Sequence, residues 1–161
     1  MKIGIISDTH DNIFNIKKVV NILKQEKVEL VLHAGDFVAP LTLPLYKGLP
    51  FVGVFGNNDG DTFRLLGNAA KNNLLMAGQV WEQVVDDLEM VMYHGTEKIL
   101  TDALIASQKY DVVIYGHTHQ PDIRVVGKTL IVNPGTVHGF EKSATFVLFD
   151  TKTKEAHLQT L

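Results

Sequence analysis

Seven side chains able to hold a metal ion stand at intervals along the chain, each just after a short apolar run. Asp8 and His10 follow KIGIIS, Asp36 follows ELVLHAG, Asn57 follows PFVGVFG, His94 follows LEMVMY, and His117 and His119 follow DVVIYG. The chain has no cysteine, so the donors are oxygen and imidazole nitrogen only, and neither a thiolate site nor a cysteine nucleophile is available. Seven such donors are too many for one tetrahedral ion and suit two ions sharing a carboxylate. Two divalent ions about 3.5–4 Å apart clamp a phosphoryl centre, acidify a bridging water and stabilise both the entering and the leaving oxygen. The chemistry this points to is phosphate-ester hydrolysis. An imidazole-rich set suits Mn, Fe, Co, Ni or Zn, because Mg and Ca sites are richer in oxygen.

Each of these residues also has an ordinary reading. Asp8 can cap a helix, Asp36 can sit in a turn after Gly35, His94 can end a half-buried strand, and GHTH can be a polar loop. GNND at 56–59 has the composition of a turn and nothing more. Those readings leave unexplained why five separate strands deliver such residues at one sheet edge, and why D-T-H and H-T-H share a spacing. The other histidines separate from the set. His33 lies inside an apolar run and reads as a buried, hydrogen-bonded imidazole, His138 after NPGTV as a neighbour of the cleft, and His157 as a surface residue.

The elements that must position the seven follow from the periodicity. KIGIIS is a β-branched apolar run, and NIFNIKKVVNILKQE then puts Ile16, Val19, Val20 and Leu23 on one helical face. The alternation continues through ELVLHAG, the proline-interrupted FVAPLTLPLYKGLP, PFVGVFG and a short helix from DTFRLLG. MAGQVWEQVVDDLEMVMYH predicts two strands around Asp86 and Asp87, and EKILTDALIAS a helix with Ile99, Leu100, Ala103 and Leu104 clustered. After DVVIYG, DIRVVGKTLIVN predicts a hairpin turning at Gly127 and Lys128, and SATFVLFDTKTKEAHLQTL another turning at Thr151 to Lys154. Helix-linked strands followed by hairpins give a mixed α/β fold with two sheets and helices outside. The candidate ligands then fall at the carboxyl ends of strands, where open α/β sheets collect ligands.

Composition narrows the function. At 161 residues and 45% hydrophobic, the chain suits one compact domain spanning 1–161. A cysteine-free protein suits a reducing cytoplasm, and MKIGIISDTH is too short in apolar residues for a signal-peptide core or membrane span. With a formal charge of −3 and arginine only at positions 64 and 124, stable nucleic-acid binding is disfavoured. A homo-oligomer stays open.

The ordered string D-x-H (8–10), G-D (35–36), G-N-x-D (56–59), H-G (94–95) and G-H-T-H (116–119) resembles the calcineurin-like metallophosphoesterase superfamily. The short length and NPGT at 133–136 point to its YfcE-like phosphodiesterase subfamily. The resemblance implies a four-layer α/β/β/α sandwich of two mixed β-sheets flanked by helices, with a dinuclear centre at the strand ends. It assigns Asp8, His10 and His119 to a first ion, Asn57, His94 and His117 to a second, and Asp36 as the bridge. Two divalent cations are implied, Mn2+ first and Ni2+, Fe2+, Co2+ or Zn2+ as alternatives, with a metal-bridging hydroxide attacking a small phosphate-ester substrate. Asp36, His94 and Asn58 would be the catalytic positions.

One position departs from the pattern. Many members of the superfamily read G-N-H-[DE], and here Asn58 stands where that histidine would help to protonate the leaving group. An amide supplies no proton at neutral pH, which favours diesters with activated leaving groups. Asp59 would then only cap the turn. The same fold also resembles the retromer scaffold subunit, a binding module. Such scaffolds have lost ligand or catalytic residues, whereas all seven ligand positions are filled here.

Overall fold

Successive side chains of β1 (Lys2–Ile6) point to opposite faces, and both faces are apolar: Ile3 and Ile5 join one buried cluster and Ile6 another. A strand buried on both sides belongs in the middle of a parallel sheet covered on both faces. In the computed structural model, which describes residues 1–140 and 143–161, it lies there. The elements run β1, α1 (Ile13–Gln25), β2 (Leu30–His33), a 3-10 helix (Pro40–Tyr46), β3 (Phe51–Gly53), α2 (Thr62–Lys71) and β4 (Leu75–Met76). They continue with β5 (Val80–Val85), β6 (Leu88–Tyr93), α3 (Lys98–Ala106), β7 (Val112–Ile114), β8 (Asp122–Val126), β9 (Thr129–Asn133), β10 (Thr145–Asp150) and β11 (Glu155–Thr160).

One sheet has the order β11-β10-β1-β2-β3-β4, with β1, β2, β3 and β4 mutually parallel and β10 antiparallel to β1. The other has the order β5-β6-β7-β9-β8, with β6, β7 and β9 parallel. Ile3, Ile5, Leu32 and Phe149 of the first sheet pack against Met90, Met92, Ile114 and Val132 of the second. The outer face of the first sheet packs on α1 and α2, through Ile16, Val19, Leu23, Leu65 and Ala69. Val91 and Val113 of the second sheet pack on Leu104 and Ile105 of α3. These contacts make a four-layer α/β/β/α sandwich.

The expected strands, α1 with its four-residue face and the two late hairpins stand as read. Asp86 and Asp87 both take left-handed backbone (φ 46° and 64°) between Val85 and Leu88, the geometry of a two-residue hairpin turn. Three elements differ. The helix begun by DTFRLLG runs on to Lys71, the two-residue β4 carries too few residues for a periodicity, and PLTLPLY is a 3-10 helix. In α3 the face towards the sheet carries buried Thr101 and half-buried Leu104 and Ile105, while Ile99 and Leu100 are 75% and 51% exposed. The helix is apolar over most of its circumference, so spacing alone could not choose the face that meets the sheet.

Two isoleucines test this assignment of layers. Ile5→Ala, in the interface between the sheets, should cost about 2–5 kcal/mol in urea unfolding. Ile99→Ser should change stability by less than about 0.5 kcal/mol. A larger loss at Ile99 than at Ile5 would mean that α3 docks by the other face.

Candidate metal centre

The parallel strands of both sheets end at the same edge, and their following loops are tied to one another by backbone hydrogen bonds. Asp8 N–H donates to Gly35 O (3.0 Å), Thr9 and His10 N–H to Asp36 O (3.1 Å each), and Gly116 N–H to His94 O (2.8 Å). Within these loops Asp8, His10, Asp36, His117 and His119 all have left-handed backbone, φ between 38° and 64°. Such conformations cost non-glycine residues energy and persist where the surroundings over-determine them, typically at functional sites. Glycines allow the loops to touch. A Cβ on Gly56 would lie 2.6 Å from the Asp36 nitrogen, and one on Gly116 would lie 2.7 Å from Asp8 Oδ2.

All seven candidate ligands are brought together. Donor atoms of Asp8, His10, Asp36 and His119 lie within 4.8 Å of one another. Asp36 faces two ways: its Oδ2 is 3.4 Å from His10 Nε2, and its Oδ1 is 3.4 Å from His94 Nε2. His94 Nε2 is also 3.1 Å from Asn57 Oδ1, and the His94 and His117 ring centroids are 5.2 Å apart. The His94 Nδ1 lies 2.7 Å from Ala34 O; a carbonyl only accepts, so Nδ1 carries the proton and Nε2 is the nitrogen presented to the cluster.

Asp8 and Asp36 are 0% and 1% exposed. Burial alone would raise the Asp8 pKa, but His10, His119 and Ser7 outweigh it and hold the carboxyl at about 2. Burial works against protonation of His10, yet the facing carboxylates of Asp36 and Asp8 lift it to about 9. Burial and Asp36 oppose each other at His94 in the same way, and its pKa is raised. The charges are nevertheless poorly paired by hydrogen bonds. Among the described residues, Asp8 Oδ1 and His10 Nε2 are buried without a hydrogen-bond partner, and they lie 3.8 Å apart. Unpartnered buried oxygen and imidazole nitrogen, converging in an all-N/O set, fit a divalent cation. Loading such an ion would displace the proton from His10.

The remaining sequence candidates are placed as follows. Asn58 donates its backbone N–H to Asp36 Oδ1 (2.9 Å) and its side-chain amide to Oδ2 (2.8 Å), so it grips both oxygens of Asp36. Asn12, rather than Asp8, is the cap of α1. His33 is wholly buried, stacked on Phe37 at 3.7 Å, with Nε2 3.1 Å from Thr9 Oγ1 and Nδ1 accepting from Gly35 N–H. His138 lies 6.0 Å from His10 and 3.9 Å from Phe140 between ring centroids, and Phe140 stacks on His119 at 4.7 Å. His157 is exposed.

Sequence reading missed the buttresses. Asp59 is 4% exposed and accepts from three backbone N–H groups, of Asp36 (3.0 Å), Gly56 (2.7 Å) and Val38 (2.8 Å). It therefore locks the Asp36 loop to the Asn57 loop, a larger role than capping a turn. NPGT does the same on the other side: Asn133 donates to Gly116 O and Thr118 Oγ1, and Thr136 Oγ1 donates to Asp8 O. Both buttresses lie in motifs that the sequence displays, G-N-x-D and NPGT, but nothing in the spacing names the distant backbone groups that they hold.

Residues 1–154 match the Calcineurin-like phosphoesterase superfamily domain. The chain belongs to that superfamily. It is 37% identical over 161 residues to phosphodiesterase MJ0936 of Methanocaldococcus jannaschii, covering 96% of each chain. A solved structure described as a novel archaeal phosphodiesterase superposes with a TM-score of 0.94 at 35% identity, covering 100% of both chains. The fold also recurs, at 16% identity and a TM-score of 0.71 over 100% of this chain and 98% of the other, in Vps29 from Entamoeba histolytica complexed with zinc. At that identity the likeness shows the fold alone.

His33 supplies a test of the buried environment beside the centre. Burial holds its folded pKa at about 3, below the usual 6.5. Between those values the unfolded chain takes up a proton that the folded protein refuses, so stability falls as pH drops from 6.5 towards 3. His33→Gln should flatten this part of the profile in urea unfolding between pH 7 and pH 4. An unchanged slope would show that His33 is protonated in the folded protein.

Proposed function

We propose that the protein is a metal-dependent phosphodiesterase, built as a single domain over 1–161, whose seven clustered donors hold two divalent ions. Asp8, His10 and His119 would hold the first ion, Asn57, His94 and His117 the second, and Asp36 both. The observation that carries this is the pair of buried, unpartnered donors, Asp8 Oδ1 and His10 Nε2, beside an Asp36 whose two oxygens face opposite halves of the cluster. Identity of more than a third to a relative named a phosphodiesterase supports the reaction class. The mixed carboxylate and imidazole set admits Mn2+, Fe2+, Co2+, Ni2+ or Zn2+, and Mn2+ is the ion that the family resemblance puts first.

Ions so held supply an acidified water and positive charge against the phosphoryl oxygens. The chain's own part is to fix their spacing and exclude alternatives. Asn58 holds the Asp36 carboxylate from both sides, and Asp59 fixes the backbone that carries it. Ala34 O sets the His94 tautomer. No side chain at position 58 donates a proton to a departing alkoxide, and His138, lowered in pKa by burial and by His10 and His119, is the nearest additional imidazole. The substrate class is therefore a small diester with an acidic alcohol as leaving group, in a cytoplasmic setting.

The scaffold alternative shares the fold, and a scaffold of this fold binds zinc. Metal content therefore does not separate the two functions; turnover does. Chelation should silence hydrolysis of an aryl diester, and Mn2+ or another first-row ion should restore it better than Ca2+. Asp36→Asn should lower kcat by at least about a hundredfold, as loss of a preorganised charge at a reacting centre does, and reduce metal stoichiometry in the purified protein. Undiminished hydrolysis in fully demetallated protein would overturn the metal mechanism, and no turnover of any diester with any first-row ion would leave the scaffold in its place.

Asn58 gives an independent test. In a series of substituted phenyl diesters, the rate should rise steeply with the acidity of the leaving phenol, and Asn58→His should help mainly the poorest leaving groups. A flat dependence in wild type would identify another acid, with His138→Gln as the next variant to assay.

A further inference from the structure

A cavity of about 250 Å³ opens beside the His94, Asn57 and His117 half of the cluster. Its wall includes His117 itself, together with Thr96, Lys98, Thr101, Tyr115 and Arg124. Thr96 Oγ1 is 3.5 Å from Asn57 Oδ1, which joins the cavity to the centre. Two observations concern what it could receive. Thr101 is 6% exposed, and its hydroxyl is buried with no hydrogen-bond partner among the described residues; it meets a group in the cavity only when the side chain turns about χ1. Such a group costs free energy unless something satisfies it. The second is a braced guanidinium: Arg124 Nε donates to Asp122 Oδ2 (2.9 Å), and Tyr115 OH donates to the same oxygen (2.8 Å). Asp122 uses only the Nε edge of Arg124, so the terminal amino groups keep their donors, in the fork that matches an oxyanion.

Lys98 adds a third cationic donor at the rim, although it already pairs with Asp102 at 2.6 Å. Asp102 itself lines the cavity and its charge also reaches Arg124, so Asp102 and Asp122 balance the two cations, and the attraction is carried by donor geometry more than by net charge. Ile105 and the Tyr115 ring provide the apolar side of the wall. The volume admits one small group and no macromolecule.

We infer that this cavity is a subsite for an oxyanion carried on one of the two ester groups of the diester, a carboxylate or a second phosphoryl group, with Arg124 and Thr101 as the residues that select it. The inference rests on the phosphodiesterase reading and narrows its substrate class. A group of this kind would meet the free edge of Arg124, and would satisfy the Thr101 hydroxyl once that side chain turns towards the cavity. The scissile phosphorus would then lie at the metal cluster, with the oxyanion beyond it past His117.

The test uses metal-loaded protein and three diesters with the same p-nitrophenyl leaving group. Their second ester arm ends in a carboxylate, a phosphoryl group or a neutral carboxamide. In wild type, kcat/KM for one or both anionic arms should exceed that for the carboxamide by about tenfold, mostly through KM, the size expected of a charge-assisted hydrogen bond. The ratio should fall towards one in Arg124→Gln, and part-way in Thr101→Val. Which arm responds identifies the oxyanion. Equal rates for all three arms in wild type, or a ratio untouched by both variants, overturns the subsite.

Failure to turn over any diester with any first-row ion would instead sink the phosphodiesterase reading. The subsite is then decided by titrating zinc-loaded protein with acetate and, separately, inorganic phosphate, while following backbone amide resonances. Shifts at Thr101 and Arg124 that Arg124→Gln removes support it; shifts confined to the metal-ligand loops overturn it.

Discussion

Two nearly fully buried carboxylates, Asp8 and Asp36, impose the constraint that the rest of the structure serves. An ionised carboxylate out of water is costly unless it is paired and hydrogen-bonded. Asp36 is paired on every side: two donors from Asn58, and imidazoles of His10 and His94 facing its separate oxygens. Asp8 is less complete. Its Oδ2 accepts from Ser7 and from the His117 N–H, while its Oδ1 faces His10 and His119 without a hydrogen bond at good geometry. The protein therefore pays most of the cost of an anionic site in advance and leaves one oxygen and one imidazole nitrogen for a cation to finish.

The loops reach these positions because both sheets are parallel where it matters. β1, β2 and β3 end side by side in one sheet, and β6, β7 and β9 do so in the other. The inter-sheet core of isoleucine, leucine, valine and methionine brings the two edges face to face. The loops after β1, β2 and β7 leave their strands through left-handed backbone at the ligand residues, and cross-loop hydrogen bonds and missing Cβ atoms hold the approach. Packing sets the distance between the sheets, and local backbone strain aims the side chains.

That division explains what the sequence could be made to say. Strand ends followed by Asp, Asn or His were legible because period-two apolar runs are strong signals, and the polar residue after each run marks its end. Ile16, Val19, Val20 and Leu23 were legible for the same reason, on a helix polar elsewhere. The face of α3 was not, since Ile99 and Leu100 are as apolar as Leu104 and Ile105 and only the position of β6 and β7 decides which pair is covered. Asp59 was misjudged because its partners, the N–H groups of Asp36 and Val38, are more than twenty residues away. Asn58 could be recognised as a departure from a pattern, but its grip on Asp36 depends on the fold.

The two sides of the cluster are walled differently, and this bears on which residues can vary around it. On the His10 and His119 side, Phe140 and His138 close the space with stacked rings. On the His117 side, the wall is shared by His117 and Thr118 of a ligand loop with residues of α3 and β8, and the latter two elements carry none of the seven ligands. Residues there can change without altering the loops that hold the cluster, because their contacts with it are limited to its edge, through Thr96 and His117. The ligand loops have no such freedom. A side chain added at Gly56 or Gly116 would collide with Asp36 or Asp8. Specificity can therefore drift on α3 and β8 while the loops that hold the cluster stay fixed.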